Sequence, residues 1–184
     1  GDLLDLPDFS DKFVRKPEFA NLTQEALIEA HFFLSRLRLL CPGAEIHLIE
    51  GNHDERWSRH VLANTQAAFG VMPVQLLHTN QNYTLPYMLD LENLGVAYHG
   101  NYPDSGFVDD FTGRRLIHGS VAAVPGTTEA RVLNKARRPT HYGHCHHAGY
   151  IYSKDTDTGD ILSIGTPGCL CRVDGIVPAR SREN

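Results

Sequence analysis

The sequence has little cysteine and no long apolar run. Its 184 residues include four cysteines, which lack the density of a disulfide scaffold and the CxxC spacing of a zinc knuckle. We therefore expect reduced thiols and a cytoplasmic location. No apolar stretch reaches the roughly 18 residues that span a bilayer, and the N-terminus has no signal-peptide pattern, so no membrane partner is expected.

An excess of positive charge is also lacking. The net charge is −5, which gives no general attraction to nucleic acid or anionic lipid. Hydrophobic residues make up 41% of the chain, enough for the core of one compact domain, so a single domain over residues 1–184 is predicted. Histidine, in contrast, is abundant: there are 11, and many lie beside glycine, asparagine or aspartate.

Helical and strand patterns alternate along the chain, which predicts an α/β fold. Helices are predicted from the N-cap Asn21 to Cys41, over residues 55–69 and over residues 127–136. Strands are predicted at residues 45–50, 114–117, 140–142, 149–153 and 160–164. The stretch 70–110 is rich in turn residues, and we interpret it as irregular, forming an insertion or a lid.

Three of the predicted strands end in a glycine with asparagine or histidine. The first continues into Gly51-Asn52-His53-Asp54, the second into His118-Gly119, and the third into Gly143-His144-Cys145-His146. In α/β folds, functional groups collect at the carboxyl ends of strands. We therefore expect the asparagine and the three histidines, Asn52, His118, His144 and His146, to converge on one point.

These residue types suit divalent metal ions that act on a phosphate, because such ions take hard oxygen ligands and imidazole. Two ions can hold a bridging hydroxide, which attacks the phosphorus. Asp2 suits the bridging carboxylate, since it can give one oxygen to each ion. Asn52 offers a neutral carbonyl oxygen, and the three imidazoles complete the predicted metal ligands.

Residues beside these ligands are candidates for the other catalytic roles. His53 would lie close to the substrate and protonate or stabilise the leaving oxygen. Asp54 would orient that imidazole and keep it protonated. Asn52 and Arg56 are candidates for binding the substrate, Arg56 by gripping a phosphate oxygen with its fork of donors.

The blocks, in this order, resemble those of the calcineurin-like metallophosphoesterases, beginning with Gly1-Asp2-Leu3-Leu4-Asp5. The resemblance spans nearly the whole chain. It implies an αββα sandwich with a dinuclear metal site at its strand ends and an enzyme that hydrolyses phosphate esters. It also implies that Asp2 bridges both ions, that Asn52, His118 and His144 complete one metal site and His146 serves the other, and that His53 is the catalytic histidine.

One block of the family does not occur in this chain. The family opens with Asp-x-His upstream of Gly-Asp, and those residues ligate the ion that His146 serves. We therefore expect the N-terminal strand to be missing, with one well-formed metal site and a partial second one. Mn²⁺ is the favoured ion, and the same ligands accept Fe, Zn or Ni.

The substrate class is indicated only by a finer resemblance. Gly51 to Arg56, with Gly168 to Arg172, is similar to phosphoesterases of phages and prophages, which suggests a nucleotide or nucleic-acid phosphodiester. Asp54 and the lack of Asp-Arg-Gly argue against a protein phosphatase.

The alternative is a catalytically impaired metal-binding or interaction module, and a DNA nuclease is a third option. Taken singly, each block also fits a purely structural role, such as a turn before a capped helix.

Overall fold

The computed structural model describes residues 1–10, 22–65 and 83–170. Over these residues the chain is mixed α/β, with four α-helices and two sheets. It forms two compact units, one of residues 2–99 and one of Gly1 with residues 100–184. We call them the N-terminal and C-terminal units. The single-domain interpretation and the insertion or lid stay predictions, and residues 66–82 lie outside the described part.

The N-terminal unit contains a two-stranded parallel sheet. It begins with a 3-10 turn at Pro7–Phe9, followed by α1 (Thr23–Leu40), β1 (Ile46–Ile49), α2 (Glu55–Thr65), α3 (Leu85–Met88) and β2 (Val96–His99). In the sheet, Ile46 pairs with Val96 and Ile49 with His99. The predicted first helix and first strand are confirmed, and α2 begins at the predicted residue; the predicted N-cap Asn21 and residues 66–69 lie outside the described residues.

The core of the N-terminal unit is built on the buried face of α1. Leu27, Ala30 and Leu34 recur every three to four residues on that face, which is the spacing of an amphipathic helix. They belong to one cluster of buried side chains with Leu48 of β1, Val96 of β2 and leucines of the segments around them, namely Leu4, Leu6, Leu85, Leu89 and Leu91.

The C-terminal unit contains a five-stranded mixed sheet. Its elements are β3 (Gly106–Val108), β4 (Arg115–Ile117), α4 (Thr127–Leu133), β5 (Thr140–Tyr142), β6 (Ala148–Lys154) and β7 (Ile161–Pro167). The strand order is β3-β4-β5-β7-β6. β4 and β5 are parallel, and β6 and β7 form an antiparallel hairpin. Val132, Tyr142 and Ile164 form the buried core between α4 and the sheet.

The prediction of an irregular stretch over residues 70–110 is wrong at three places within residues 83–110. That part contains α3, β2 and β3. β2 is only four residues long, and its partner β1 lies about 50 residues earlier in the chain. Such a short strand is held by non-local pairing rather than by its own pattern, so turn-rich flanks conceal it in the sequence.

None of the helices within the described residues combines the length and the apolar character that a membrane crossing requires. The longest, α1, runs for 18 residues and carries charged side chains such as Glu25 and Arg38.

Two leucines of α1 test how this core is built. Leu34 is 3% exposed and Leu39 is 70% exposed. Leu34→Ala should lower the free energy of unfolding by about 2–5 kcal/mol, because it leaves a cavity among buried leucines. Leu39→Ala should change it by less than about 0.5 kcal/mol. Urea denaturation followed by circular dichroism measures both, and equal effects would contradict the assignment of the buried face.

Candidate functional site

The first two sequence blocks meet in the N-terminal unit, at the carboxyl end of β1. Gly51, Asn52 and His53 form a turn directly after the strand, and α2 follows at Glu55. Asp2 lies against this turn, since its carboxylate oxygen Oδ1 accepts the backbone N–H of His53 at 2.9 Å. The structure therefore joins the block at residues 1–5 to the block at residues 51–54, about 50 residues apart in sequence.

Asp54 is the buried anchor of this junction. Its side chain is 1% exposed, and its two oxygens accept the backbone N–H groups of Gly51, Asp2 and Leu4 at 2.9, 2.8 and 3.0 Å. Burial raises the pKa of Asp54, although the backbone hydrogen bonds oppose this shift. Asp54 thus fixes the backbone of the turn after β1, at Gly51, and the backbone of the N-terminal segment, at Asp2 and Leu4.

The predicted contact between Asp54 and His53 is wrong. Both carboxylate oxygens of Asp54 accept backbone N–H groups. The carboxylate that contacts the His53 ring belongs to Asp5, whose Oδ1 atom lies 2.6 Å from Nδ1 of His53. The physical reason is that the turn after β1 directs the adjacent side chains of His53 and Asp54 to different surroundings, one partly exposed and one fully buried. Asp5 therefore takes the orienting role that the sequence assigned to Asp54.

Asp5 is held as a carboxylate by its neighbours. The hydrogen bond from His53, with its charge and that of Arg56, lowers the pKa of Asp5 despite partial desolvation. Because an ionised carboxylate only accepts hydrogen bonds, Nδ1 of His53 carries the proton of this contact. Nε2 is then the ring nitrogen that does not contact Asp5.

Arg56 also contacts Asp5. Its Nη1 donates to the carbonyl oxygen of Asp5 and lies 3.4 Å from its carboxylate. The Arg56 guanidinium therefore helps to hold Asp5, the residue that orients His53, in place. Its predicted grip on a phosphate oxygen, and the substrate contact of Asn52, stay predictions; Asn52 is partly buried in the turn after β1.

The other two blocks meet in the C-terminal unit, at the ends of neighbouring parallel strands. Ile117, the last residue of β4, pairs with Tyr142, the last residue of β5. His118 and His144 therefore leave the sheet at the same edge. The Nε2 atom of His118 lies 3.2 Å from the Nδ1 atom of His144, and the two rings are set edge to face. The expected convergence is confirmed for this pair.

The spacing of these two nitrogens suits a shared metal ion. Imidazole nitrogens bind first-row divalent ions at about 2.0–2.2 Å, and two such ligands on one tetrahedral or octahedral ion lie about 3.0–3.4 Å apart. The separation also suits a hydrogen bond between two neutral rings. His118 is buried, with 3% exposure, whereas His144 is partly exposed and His146 is exposed.

The loop that carries His144 and His146 has an unusual backbone. The N–H of Cys145 donates to the carbonyl of Gly143 at 2.7 Å, closing a three-residue turn around His144. His144 and His146 have φ angles of 64° and 61°, in the left-handed region that costs a side-chain-bearing residue on the order of 1–2 kcal/mol. Such conformations cluster at functional sites, which favours a role for both residues.

Glycines admit the close packing at both strand ends. A Cβ atom on Gly51 would lie 2.1 Å from Oδ1 of Asp2, and one on Gly119 would lie 2.1 Å from the ring of Tyr142. Tyr142 in turn donates from its hydroxyl to the carbonyl of Val121 at 2.9 Å, which fixes the segment after His118-Gly119.

Two residues near these blocks, Tyr102 and Glu129, were not identified as contributors from the sequence, whereas Asp5 was expected to be a turn or supporting carboxylate. Tyr102 packs edge to face on His118, Glu129 accepts a hydrogen bond from His147, and Asp5 orients His53. Asp5 carried a signal, since it lies within the first block. Glu129 carried a weaker one, its position three residues after Gly126 at the start of α4, where its carboxylate accepts the N–H of Gly126.

Comparisons with known proteins give no relative for this chain. No protein-family model matches the sequence, and neither a curated protein nor a solved structure gives a significant match. The function is therefore inferred from the residues of these two strand ends and from the blocks in which they occur.

Gly51→Ala tests the approach of Asp2 to the turn after β1. The new methyl group would overlap the carboxylate and backbone of Asp2, so the free energy of unfolding should fall by about 1–3 kcal/mol. Gly43→Ala is the matched control, because nothing lies within 4 Å of its Cβ position. Urea denaturation compares the two variants. Equal stability would show that Asp2 does not pack on Gly51.

Asp54→Asn tests the buried anchor. Asparagine has a single acceptor oxygen and two N–H donors, so at least one of the three backbone N–H groups would lose its acceptor. Each buried group left without a partner costs about 1–3 kcal/mol. The melting temperature should therefore fall clearly for this variant and barely for Asp157→Asn, at an exposed turn. An unchanged melting temperature for Asp54→Asn would contradict the anchoring role.

Proposed function

We propose that this chain is a metal-dependent phosphoesterase of the calcineurin-like type, with the αββα sandwich of that family. It would hydrolyse a phosphate monoester or diester, with a nucleotide or nucleic acid as the substrate class. The observation that carries the proposal is the pair of imidazole nitrogens of His118 and His144, 3.2 Å apart at the ends of two parallel strands.

The donor set fits divalent ions. Asp2, Asn52, His118, His144 and His146 would hold them, with Mn²⁺ favoured and Fe, Zn or Ni accepted by the same ligands. Carboxylate, amide oxygen and imidazole are the ligands that such ions prefer. When bound, a pair of ions activates water and neutralises charge on the phosphate oxygens.

The residues of the N-terminal unit supply the proton for the leaving group. Nδ1 of His53 lies 2.6 Å from Oδ1 of Asp5 and donates a hydrogen bond to it. This contact sets the plane of the ring and leaves Nε2 for the leaving oxygen. His53 donates a proton there as general acid. Arg56 holds Asp5 through its carbonyl oxygen, so the orientation of His53 depends on both residues.

His53→Ala tests this role in the protein loaded with Mn²⁺. Turnover of bis(p-nitrophenyl) phosphate should fall about 10²–10⁴-fold, because a positioned general acid contributes that much. Mn²⁺ affinity, measured by titration calorimetry, should not change. Asp5→Asn should lower turnover by less, since it disturbs the ring without removing it. His60→Ala, an exposed histidine on α2, is the control.

The outcomes separate the candidate functions. Full turnover in His53→Ala would contradict its role. Wild-type protein that binds Mn²⁺ but hydrolyses neither a diester nor a monoester would favour the metal-binding or interaction module. Wild-type protein that binds no divalent ion would overturn the proposal as a whole.

A further inference from the structure

A buried carboxylate lies behind the strand end that carries His144 and His146. Glu129 is 1% exposed, and a charge at such a position is tolerated only when it is well paired. Its Oε2 atom accepts the N–H of Gly126 at 2.8 Å and caps α4. Its Oε1 atom accepts from the Thr166 hydroxyl at 3.0 Å and from Nε2 of His147 at 2.9 Å.

The space around Oε1 is arranged for this carboxylate. A Cβ atom on Gly149 would lie 2.1 Å from Oε1, so β6 admits Glu129 only because that residue is glycine. Capping of α4 requires Oε2 alone, and it does not explain why Oε1 reaches His147. Burial disfavours the charge, yet the hydrogen bonds outweigh it and hold the pKa of Glu129 below its ordinary value.

His147 connects Glu129 to the loop at residues 143–147. While Nε2 faces Glu129, Nδ1 lies 3.1 Å from the carbonyl oxygen of Cys145. Each ring nitrogen of His147 thus lies within hydrogen-bond distance of an oxygen atom. The ring bridges the buried carboxylate and the peptide between His144 and His146.

That peptide is where the loop needs support. His144 and His146 flank it, and both have left-handed backbone angles that a side-chain-bearing residue avoids without outside contacts. A hydrogen bond to the Cys145 carbonyl restrains the peptide plane between Cys145 and His146. Outer contacts of this kind fix the orientation of metal-ligating side chains in many metal sites.

We propose that Glu129 and His147 form a positioning pair that holds the loop at residues 143–147 in its metal-binding conformation. The pair acts on metal affinity through His144 and His146 and touches no substrate. This inference rests on the proposed function, because it assigns those two histidines as ligands.

Glu129→Gln and His147→Gln test the pair in the whole chain. Each should weaken Mn²⁺ binding about 10–100-fold, the usual effect of losing an outer contact of a metal site. Each should also change the visible absorption spectrum of the Co²⁺-loaded protein, which reports ligand geometry. Thr166→Val is the matched control, since it removes the other hydrogen bond to Oε1 and leaves His147 in place; its Mn²⁺ affinity and Co²⁺ spectrum should match those of wild type.

Each outcome decides between the two proposals. Wild-type affinity and spectrum in both glutamine variants would overturn the positioning pair while metal binding by wild type stands. Equal weakening by Thr166→Val would overturn it as well, because the effect would then follow from general loosening of the core. If Glu129→Gln does not fold, His147→Gln gives the answer. The His147 side chain is 18% exposed, so its replacement disturbs the core less than replacement of Glu129. Absence of metal binding in wild type would instead reject the proposed function.

Discussion

Three backbone N–H groups, from Gly51, Asp2 and Leu4, meet on the two oxygens of the buried Asp54 carboxylate. Two of them come from residues 50 and 52 positions earlier in the chain. A buried carboxylate without such donors would carry a large desolvation cost. Asp54 therefore forces the N-terminal segment to run beside the end of β1, and the positions of Asp2 and Asp5 follow from it.

The C-terminal unit has a similar arrangement next to the loop that follows β5. Glu129 is as fully buried as Asp54, and it likewise accepts from a backbone N–H and from groups on separate elements. In each unit, one buried carboxylate ties a strand-end loop to a segment distant in sequence. The solvent-facing side chains of these loops, the partly exposed His53 and the exposed His146, therefore do not have to hold the loops in place.

The sequence predicted the strand ends well because the signal is local. Short strands such as Ile46–Ile49 and Thr140–Tyr142 are followed within one or two residues by glycine and polar residues, so their ends are marked in the pattern itself. The convergence of His118 and His144 follows from parallel pairing of β4 and β5, which topology makes predictable.

Other parts could not be predicted, because they depend on contacts across the chain. β2 is four residues long and exists through its pairing with β1. The exchange of roles between Asp5 and Asp54 has the same origin. Adjacency to His53 suggested Asp54, yet neighbouring side chains on a tight turn diverge. The residue that reaches His53 is 48 positions away, a distance that no local pattern encodes.

Strained backbone gives an independent indication of where this molecule acts. Of the six non-glycine residues with positive φ in the described part of the chain, three are Asp2, His144 and His146, all of them proposed metal ligands. The other three are Leu6, which precedes the 3-10 turn at Pro7–Phe9, and Asp90 and Asn101, whose residue types tolerate this conformation in ordinary turns. Glycine would adopt it at less cost at both positions of the His144–His146 loop. Keeping imidazoles there, with a buried glutamate behind them, is understandable if the side chains themselves are required.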